Sequence, residues 1–172
     1  MEILDLYDKD KRLTNIQVSR GVKVPKGYYR LVVHICIFNK EGKMLIQKRT
    51  PNKKWPNKWD ISVGGCVTAG ESSKLAAMRE VKEEIGFDVD LSNVRCNFTF
   101  NFEDGFDDIY LLNIDNLDLT KLKLQKTEVS EVKWATCDEI IEMMKNDLFI
   151  PYYDSYIKML FELRYSKDMY AE

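Results

Sequence analysis

Residues 65–87 have the sequence GCVTAGESSKLAAMREVKEEIGF and contain the strongest chemical signal in the chain. A glycine turn leads into a segment that carries Glu80, Glu83 and Glu84 at spacings of three and four residues. At about 100° per residue, these spacings place the three carboxylates on one stripe of a helix. The opposite side of the predicted helix is apolar, with Leu75, Met78, Val81 and Ile85. The stretch therefore predicts a helix with one buried face and one acidic face that lines a cleft.

The acidic stripe predicts a metal site. Three carboxylates repel one another, and hard divalent cations such as Mg²⁺ bind oxygen ligands, usually carboxylates together with substrate phosphates. We expect Mg²⁺ as cofactor, with Mn²⁺ as the second candidate. Arg79 precedes Glu83 by four residues and is placed to orient that carboxylate. Glu84 is expected to face solvent, so that its replacement by Gln weakens metal binding without unfolding the protein. For an isolated REVKEE, a solvated face with ordinary charge pairs is the better interpretation.

The surroundings favour the metal site, because the stretch resembles the Nudix box. Nine positions of that motif are filled: Gly65, Glu71, Arg79, Glu80, Val81, Glu83, Glu84, Gly86 and Phe87. The resemblance implies an α/β (α+β) protein, a Nudix-type α/β/α sandwich with a mixed central sheet, that hydrolyses a diphosphate linked to another group. It also implies the carbonyl of Gly64 as a metal ligand beside Glu80, Glu83 and Glu84. In this family the general base is a box glutamate or one on a distal loop. Glu83 and Glu80 are therefore the first candidates, and Glu128 or Glu131 are the reserve.

Composition bounds the remaining possibilities. A chain of 172 residues with 45% hydrophobic residues suits one domain, residues 1–172, with an N-terminal arm at about 1–28. Neither an apolar run of membrane-spanning length nor a signal peptide is present, so we expect a cytoplasmic protein without membrane contact. The net charge of -2 argues against binding of duplex nucleic acid. The expected partner is a small-molecule diphosphate, and the expected state is a monomer or homodimer.

Alternating and apolar segments predict the remaining elements. Strands are expected at 3–7, 29–38, 43–49, 59–63, 97–102, 109–114 and 128–135. The 59–63 strand should end at the pair Gly64 and Gly65, and the acids between 103 and 108 are interpreted as a turn. Ser72, Thr136 and Asp154 are predicted N-caps of three helices, Thr136 with Glu139 in a capping box. Residues 9–30 form a basic segment that either faces polyphosphate or is a solvated loop. Glu71 is expected to be structural, and His34 a hydrogen-bonded core residue.

Positive charge for substrate phosphates is assigned to Arg49, Lys48 and Arg30. The identity of the group on the diphosphate does not follow from the sequence, because the loops that recognise it lie outside the box.

Two other functions compete with hydrolysis. The segments DLYDKDKRLT, RLVVHICIFN and QKRTPNKKWPNKWDISVGG resemble the Nudix branch related to isopentenyl-diphosphate isomerase. That enzyme's catalytic cysteine falls at Gly64 and a metal-binding histidine at Cys66, so both groups are absent here, and hydrolysis is favoured. Cys66 is also a possible nucleophile, but no His lies near it in the sequence, so it is interpreted as a residue that occupies a position of the box without a chemical role. A non-catalytic nucleotide sensor would be expected to lack box carboxylates, and none is lost.

Overall fold

The computed structural model describes residues 2–166, which form a mixed sheet between helices. The strands are β1 (Ile3–Tyr7), β2 (Leu13–Ser19), β3 (Arg30–Phe38), β4 (Met44–Arg49), β5 (Trp59–Asp60), β6 (Val63–Cys66), β7 (Phe98–Phe102), β8 (Gly105–Asn113) and β9 (Val129–Ala135). The helices are α1 (Ser73–Ile85), α2 (Cys137–Lys145) and α3 (Asp154–Leu163), and a short 3₁₀ helix lies at Leu119–Lys121. In residues 2–166, no helix combines the length and apolar character needed to cross a membrane.

Strand β3 is the centre of the main sheet, as its apolar sequence predicts. It pairs in parallel with β8 over its whole length and antiparallel with β6. Its alternate residues belong to two buried clusters, one on each face of the sheet. Leu31, Val33, Ile35 and Ile37 face α1, whereas Cys36 and Phe38 face α2 and α3. The predicted α/β/α sandwich with a mixed central sheet is thereby confirmed.

Strands β3 and β4 separate soon after their turn, and the chain between them builds the site. They pair only at Phe38 and Met44. Beyond that point β5 pairs with β4, and β6 pairs with β3. The buried Ser62 hydroxyl lies between the two strands, accepting from the Ile37 amide (2.8 Å) and donating to the Leu45 carbonyl (2.5 Å). The prediction of one strand over 59–63 was wrong, because the segment changes partner at Ser62 and continues through Gly64 and Gly65 as β6.

The N-terminal segment forms a β-hairpin rather than a basic loop. Strands β1 and β2 make a separate two-stranded antiparallel sheet. Strand β2 was not predicted from the sequence, because most of its residues are exposed and its alternation is weak. Tyr7 joins the hairpin to the main body through backbone hydrogen bonds with Tyr29 (2.8 and 2.9 Å). The hairpin therefore packs beside the sheet as an ordered element.

Several local predictions need correction. Leu75 is 55% exposed, and α1 instead buries Ala76, Ala77, Val81 and Ile85. Asp154 lies in the first turn of α3, whose N-cap is Tyr153, and no side chain caps that helix. Asp107 and Asp108 lie inside β8 rather than in the β7–β8 turn. The N-caps Ser72 and Thr136, the latter with its capping box, are confirmed.

Candidate active site

Helix α1 is fixed at both ends, which sets the positions of its glutamates. The Ser72 hydroxyl accepts from the Leu75 amide (3.3 Å) at the N-terminus. Gly86 ends the helix in the left-handed conformation (φ 68°), where a residue without Cβ is favoured, and its amide donates to the Lys82 carbonyl. The helix start is further held by Glu71, whose carboxylate accepts from the Thr68 amide (3.1 Å) and hydroxyl (2.8 Å).

Arg79 connects three glutamates to the turn that precedes the helix. Its Nε and Nη2 donate to the two carboxylate oxygens of Glu71, both at 2.9 Å. Its Nη1 donates to Glu80 (2.8 Å) and Glu83 (3.2 Å), and Nη2 also donates to the Cys66 carbonyl (3.0 Å). Burial by itself raises the pKa of Glu71, but the bonds from Arg79 and Thr68 outweigh it and lower the pKa. Arg79 thus contacts Glu83, as expected, and holds Glu71 more firmly.

Two of the three stripe carboxylates are buried, contrary to the expectation of a solvent-facing Glu84. Glu80 is 7% exposed and Glu84 is 3% exposed, whereas the Glu83 side chain is 48% exposed. Burial raises the pKa of Glu80 against the opposing charges of Arg79 and Arg20. Burial, together with the charge of Glu80, raises the pKa of Glu84 to about 8. The pair is therefore a region of uncompensated negative charge whenever both groups are ionised.

Gln47 and Gly65 complete the surroundings of these carboxylates. The Gln47 side-chain amide on β4 donates to Glu84 (3.0 Å). Its Oε1 is buried and has no hydrogen-bond partner among the described residues. At Gly65, a Cβ would lie 2.0 Å from a carboxylate oxygen of Glu80. The absence of a side chain at Gly65 therefore provides the space that Glu80 occupies.

Gly64 serves the other face of β6, where it makes room for His34. A Cβ at Gly64 would lie 2.3 Å from Cδ2 of the imidazole. His34 Nδ1 bonds to Asp107 (2.6 Å). Burial by itself lowers the pKa of His34, but the Asp107 carboxylate outweighs it and raises the pKa to about 9. The hydrogen bond predicted for His34 is confirmed, but its side chain is 25% exposed, so it lies at the margin of the core.

The three cations assigned to phosphate binding each form an ion pair within the protein. Lys48 pairs with Glu131 (2.9 Å), and Arg49 pairs with the buried Asp60 (2.9 Å) on β5. Arg30 lies at the start of β3 and pairs with Asp104 (3.2 Å). Each of them already has an acidic partner.

The reserve bases lie in different surroundings. Glu128, just before β9, pairs with Lys53 (2.7 Å), and its charge contributes to the raised pKa of Glu84. Glu131 lies within β9 and is paired with Lys48. Of these two, Glu128 is therefore the one placed near the acidic pair.

Comparison with known proteins agrees with this arrangement of box residues. The family model described as NUDIX domain matches residues 28–155. The chain belongs to the Nudix hydrolase family. An uncharacterized Nudix hydrolase of Listeria innocua is 44% identical over 165 residues, covering 95% of this chain and 96% of the relative. One of Listeria monocytogenes is 42% identical with the same coverage. The crystal structure of a Deinococcus radiodurans protein superimposes with a TM-score of 0.74 at 24% identity, covering 96% of this chain and 100% of that one.

Members of the Nudix family generally use divalent metals, and the donors of this Nudix hydrolase suit one. Within residues 2–166, no three Asp, Glu, His or Cys side chains are grouped closely enough to form a metal site by themselves. The box glutamates are bonded to Arg79 and Gln47 instead. Hard oxygen donors, two buried carboxylates with raised pKa values and the unpartnered Gln47 Oε1 nevertheless fit a cation such as Mg²⁺.

Sequence reasoning missed two residues of this site. Gln47 directly follows MLI in β4 and is buried, and a polar residue that continues an apolar run in a strand was the available signal. Arg20 belongs to the basic segment 9–30, but nothing in that segment distinguished it from its neighbours. Burial raises the pKa of the Cys66 thiol, so the nucleophilic thiolate is disfavoured.

Proposed function

We propose that this Nudix hydrolase cleaves the diphosphate bond of a nucleoside-diphosphate-linked or related organic diphosphate, by Mg²⁺-dependent attack of water at phosphorus. The family as a whole hydrolyses nucleoside diphosphate derivatives. The observation that carries the proposal is the buried pair Glu80 and Glu84, whose pKa values are raised first by burial, so that the ionised carboxylates would be stabilised by a nearby cation. The two carboxylates would help to hold a divalent cation, which would supply that positive charge and stabilise the charge of the substrate phosphates.

The proposed metal ligands are Glu80, Glu83, Glu84 and the Gly64 carbonyl. When bound, Mg²⁺ neutralises charge on the phosphate oxygens and lowers the pKa of the attacking water. Gln47 keeps Glu84 in place through its amide (3.0 Å), and Gly65 leaves room for Glu80. Mn²⁺ has the same preference for oxygen ligands and is the expected substitute.

Glu83 is the proposed general base. Its side chain is the most exposed of the three, so it can reach a water molecule, while Arg79 limits its orientation. As the water oxygen bonds to phosphorus, the bond from phosphorus to the leaving oxygen breaks and the water proton passes to the carboxylate. Glu80 is the second candidate for this role, and Glu128 is the third because it lies near Glu84.

Substrate phosphates are proposed to bind Lys48, Arg49 and Arg30, in that order. The partner of Lys48, Glu131, is 57% exposed, so a phosphate can replace that ion pair at small cost. Arg49 is held by the buried Asp60 and by the Lys54 carbonyl (2.7 Å), so its release to bind a phosphate costs more.

We also propose that residues 1–172 act as one domain, because hairpin residues outside 28–155 hydrogen-bond to the loop before α1.

The test is turnover of a panel of nucleoside triphosphates, nucleotide sugars, dinucleoside polyphosphates and prenyl diphosphates in ¹⁸O-labelled water with Mg²⁺. Label in a phosphate product, lost with chelator, is the expected result. Full turnover after exhaustive metal removal would contradict the metal site. Isomerisation of isopentenyl diphosphate without label would favour the isomerase, and tight nucleotide binding without turnover would favour a sensor.

A further inference from the structure

The N-terminal hairpin is bonded to the loop that carries the box glycine into α1. The Ala69 amide donates to the Ile3 carbonyl (2.8 Å), and the Gly70 amide donates to the Asp5 carboxylate (2.7 Å). This loop joins Gly65 on β6 to the N-cap Ser72. The edge of β1 is therefore fixed against the turn that positions the acidic helix.

Arg20 follows β2 and lies at the end of the hairpin nearest this contact. Its amide donates to the Glu2 carbonyl (2.9 Å), and Ser19 pairs with Ile3 in the strand register. Ile3 is the same residue that accepts from Ala69. The hairpin thus carries the Arg20 backbone to the side of the box loop.

The charge of Arg20 acts on two groups of the box. Its positive charge opposes the burial-raised pKa of both Glu80 and Cys66. Burial by itself lowers the pKa of Arg20, but the hydrogen bond to Glu2 and neighbouring negative charges, including that of Glu128, outweigh it and raise the pKa.

Most of the donor capacity of Arg20 is unused within the described residues. Its guanidinium makes one side-chain hydrogen bond there, from Nη1 to Glu2 (2.6 Å), out of five available N–H donors. The side chain is 42% exposed. Arg79, by contrast, bonds to Glu71, Glu80, Glu83 and the Cys66 carbonyl. A partly exposed guanidinium with free donors beside an acidic metal site suits a diphosphate oxygen.

We propose that Arg20 is a substrate-binding residue that contacts the diphosphate from the side of the N-terminal hairpin. This inference rests on the proposed diphosphate chemistry and adds a phosphate contact outside the region matched by the family model. The guanidinium donates to non-bridging phosphate oxygens, while Glu2 and the bonds from Ala69 and Gly70 hold the hairpin in place. The hairpin is then part of the substrate site.

The experiment compares Arg20→Ala and Arg20→Lys with Arg12→Ala as matched control. Arg12 belongs to the same hairpin, but its side chain is 78% exposed and its acidic partner is Asp10 at 3.9 Å. Two measurements are made: KM and kcat for a diphosphate substrate turned over in the panel, and the calorimetric affinity for inorganic pyrophosphate with Mg²⁺. Thermal unfolding confirms that each variant is folded.

Loss of a charged hydrogen bond to phosphate predicts a 10- to 100-fold rise of KM and of the pyrophosphate Kd for Arg20→Ala, roughly 1.4–2.8 kcal/mol. kcat should change less than about threefold, Arg20→Lys should recover part of the affinity, and Arg12→Ala should match the wild type.

Unchanged pyrophosphate affinity in Arg20→Ala, or equal loss in Arg12→Ala, overturns the proposal. If Arg20→Ala does not fold, Arg20→Lys decides, because a point charge replacing the planar guanidinium should still weaken pyrophosphate binding measurably. If the wild type turns over no diphosphate, the proposed function fails separately, and pyrophosphate binding still tests Arg20.

Discussion

The two faces of β6 use adjacent glycines for opposite purposes. Gly65 opens space for Glu80 on the α1 face, and Gly64 opens space for His34 on the α2 and α3 face. Successive residues of a strand point to opposite faces of the sheet, so the dipeptide of Gly64 and Gly65 leaves space on both faces. On the α1 face two carboxylates are buried side by side with raised pKa values. On the other face, His34 and Asp107 neutralise each other.

This difference distinguishes buried charges that serve the fold from buried charges that we propose to bind a ligand. The His34–Asp107 pair balances its charge within the protein, although Asp107 Oδ1 is buried without a hydrogen-bond partner among the described residues, and we expect the pair to serve mainly the fold. Burial raises the pKa values of Glu80 and Glu84, and we propose that a bound cation stabilises their ionised forms. Variants on the α1 face should therefore change activity and metal response, and variants on the His34 face should change stability.

The largest effect is expected from the α1 face. Glu83→Gln should lower kcat by roughly 10²–10⁴-fold, the usual contribution of general-base catalysis, because the amide no longer accepts the water proton, and Glu80→Gln, at the second candidate for this role, should fall in the same range. Steady-state kinetics with saturating Mg²⁺ measures this. Glu128→Gln is the matched comparison: a larger loss there than in Glu83→Gln would move the base to the loop before β9.

Mg²⁺ should stabilise the protein through the same face. At a concentration 100 times its Kd, a ligand that binds only the folded state adds about 2.7 kcal/mol to the free energy of unfolding. Urea titrations with Mg²⁺ and with chelator give this difference. Glu84→Gln should reduce it while remaining folded, whereas Asp107→Asn should retain it. An equal Mg²⁺ response in Glu84→Gln would remove Glu84 from the metal site.

Asp107→Asn should act on stability alone. It leaves His34 without its anionic partner and should cost about 2 kcal/mol of unfolding free energy, in the range for hydrogen bonds to charged groups. The pKa of His34 is raised from 6.5 to about 9, so the pair stabilises fully below pH 6.5 and loses its contribution as the pH rises through about 9. The stability difference between wild type and variant should narrow accordingly. A constant difference from pH 6 to 10 would contradict this assignment.

The smallest effect separates the two glycines directly. Gly65→Ala should displace the Glu80 carboxylate and weaken Mg²⁺ affinity about tenfold, in the lower range for disturbed support of a metal ligand. Gly64→Ala should instead disturb the His34 imidazole and lower the unfolding midpoint more than Gly65→Ala does. Mg²⁺ titration and thermal unfolding of both variants check this. If Gly65→Ala binds Mg²⁺ as tightly as the wild type, Gly65 does not provide the proposed space.

The sequence by itself determined the elements whose signals are local. Helix α1, its N-cap Ser72 and the gathering of Glu80, Glu83 and Glu84 follow from spacing along one helix. The apolar run of β3 predicted a strand covered on both faces, and the capping box at Thr136 placed the start of α2. From these elements the three-layer fold with a mixed sheet could be predicted, because few architectures cover such a strand on both sides.

Only the tertiary structure decided how these groups are surrounded. Helical spacing defines a stripe but not which part of it is covered, so Glu84 was expected at the surface and is 3% exposed, while Leu75 was expected inside and is 55% exposed. The bonds of Ser62 to β3 and β4, the bond from Gln47 to Glu84, and the bonds from Ala69 and Gly70 to the N-terminal hairpin all join residues distant in the chain. The pattern of apolar and polar residues along the sequence does not predict such contacts, because they depend on how separate elements pack together.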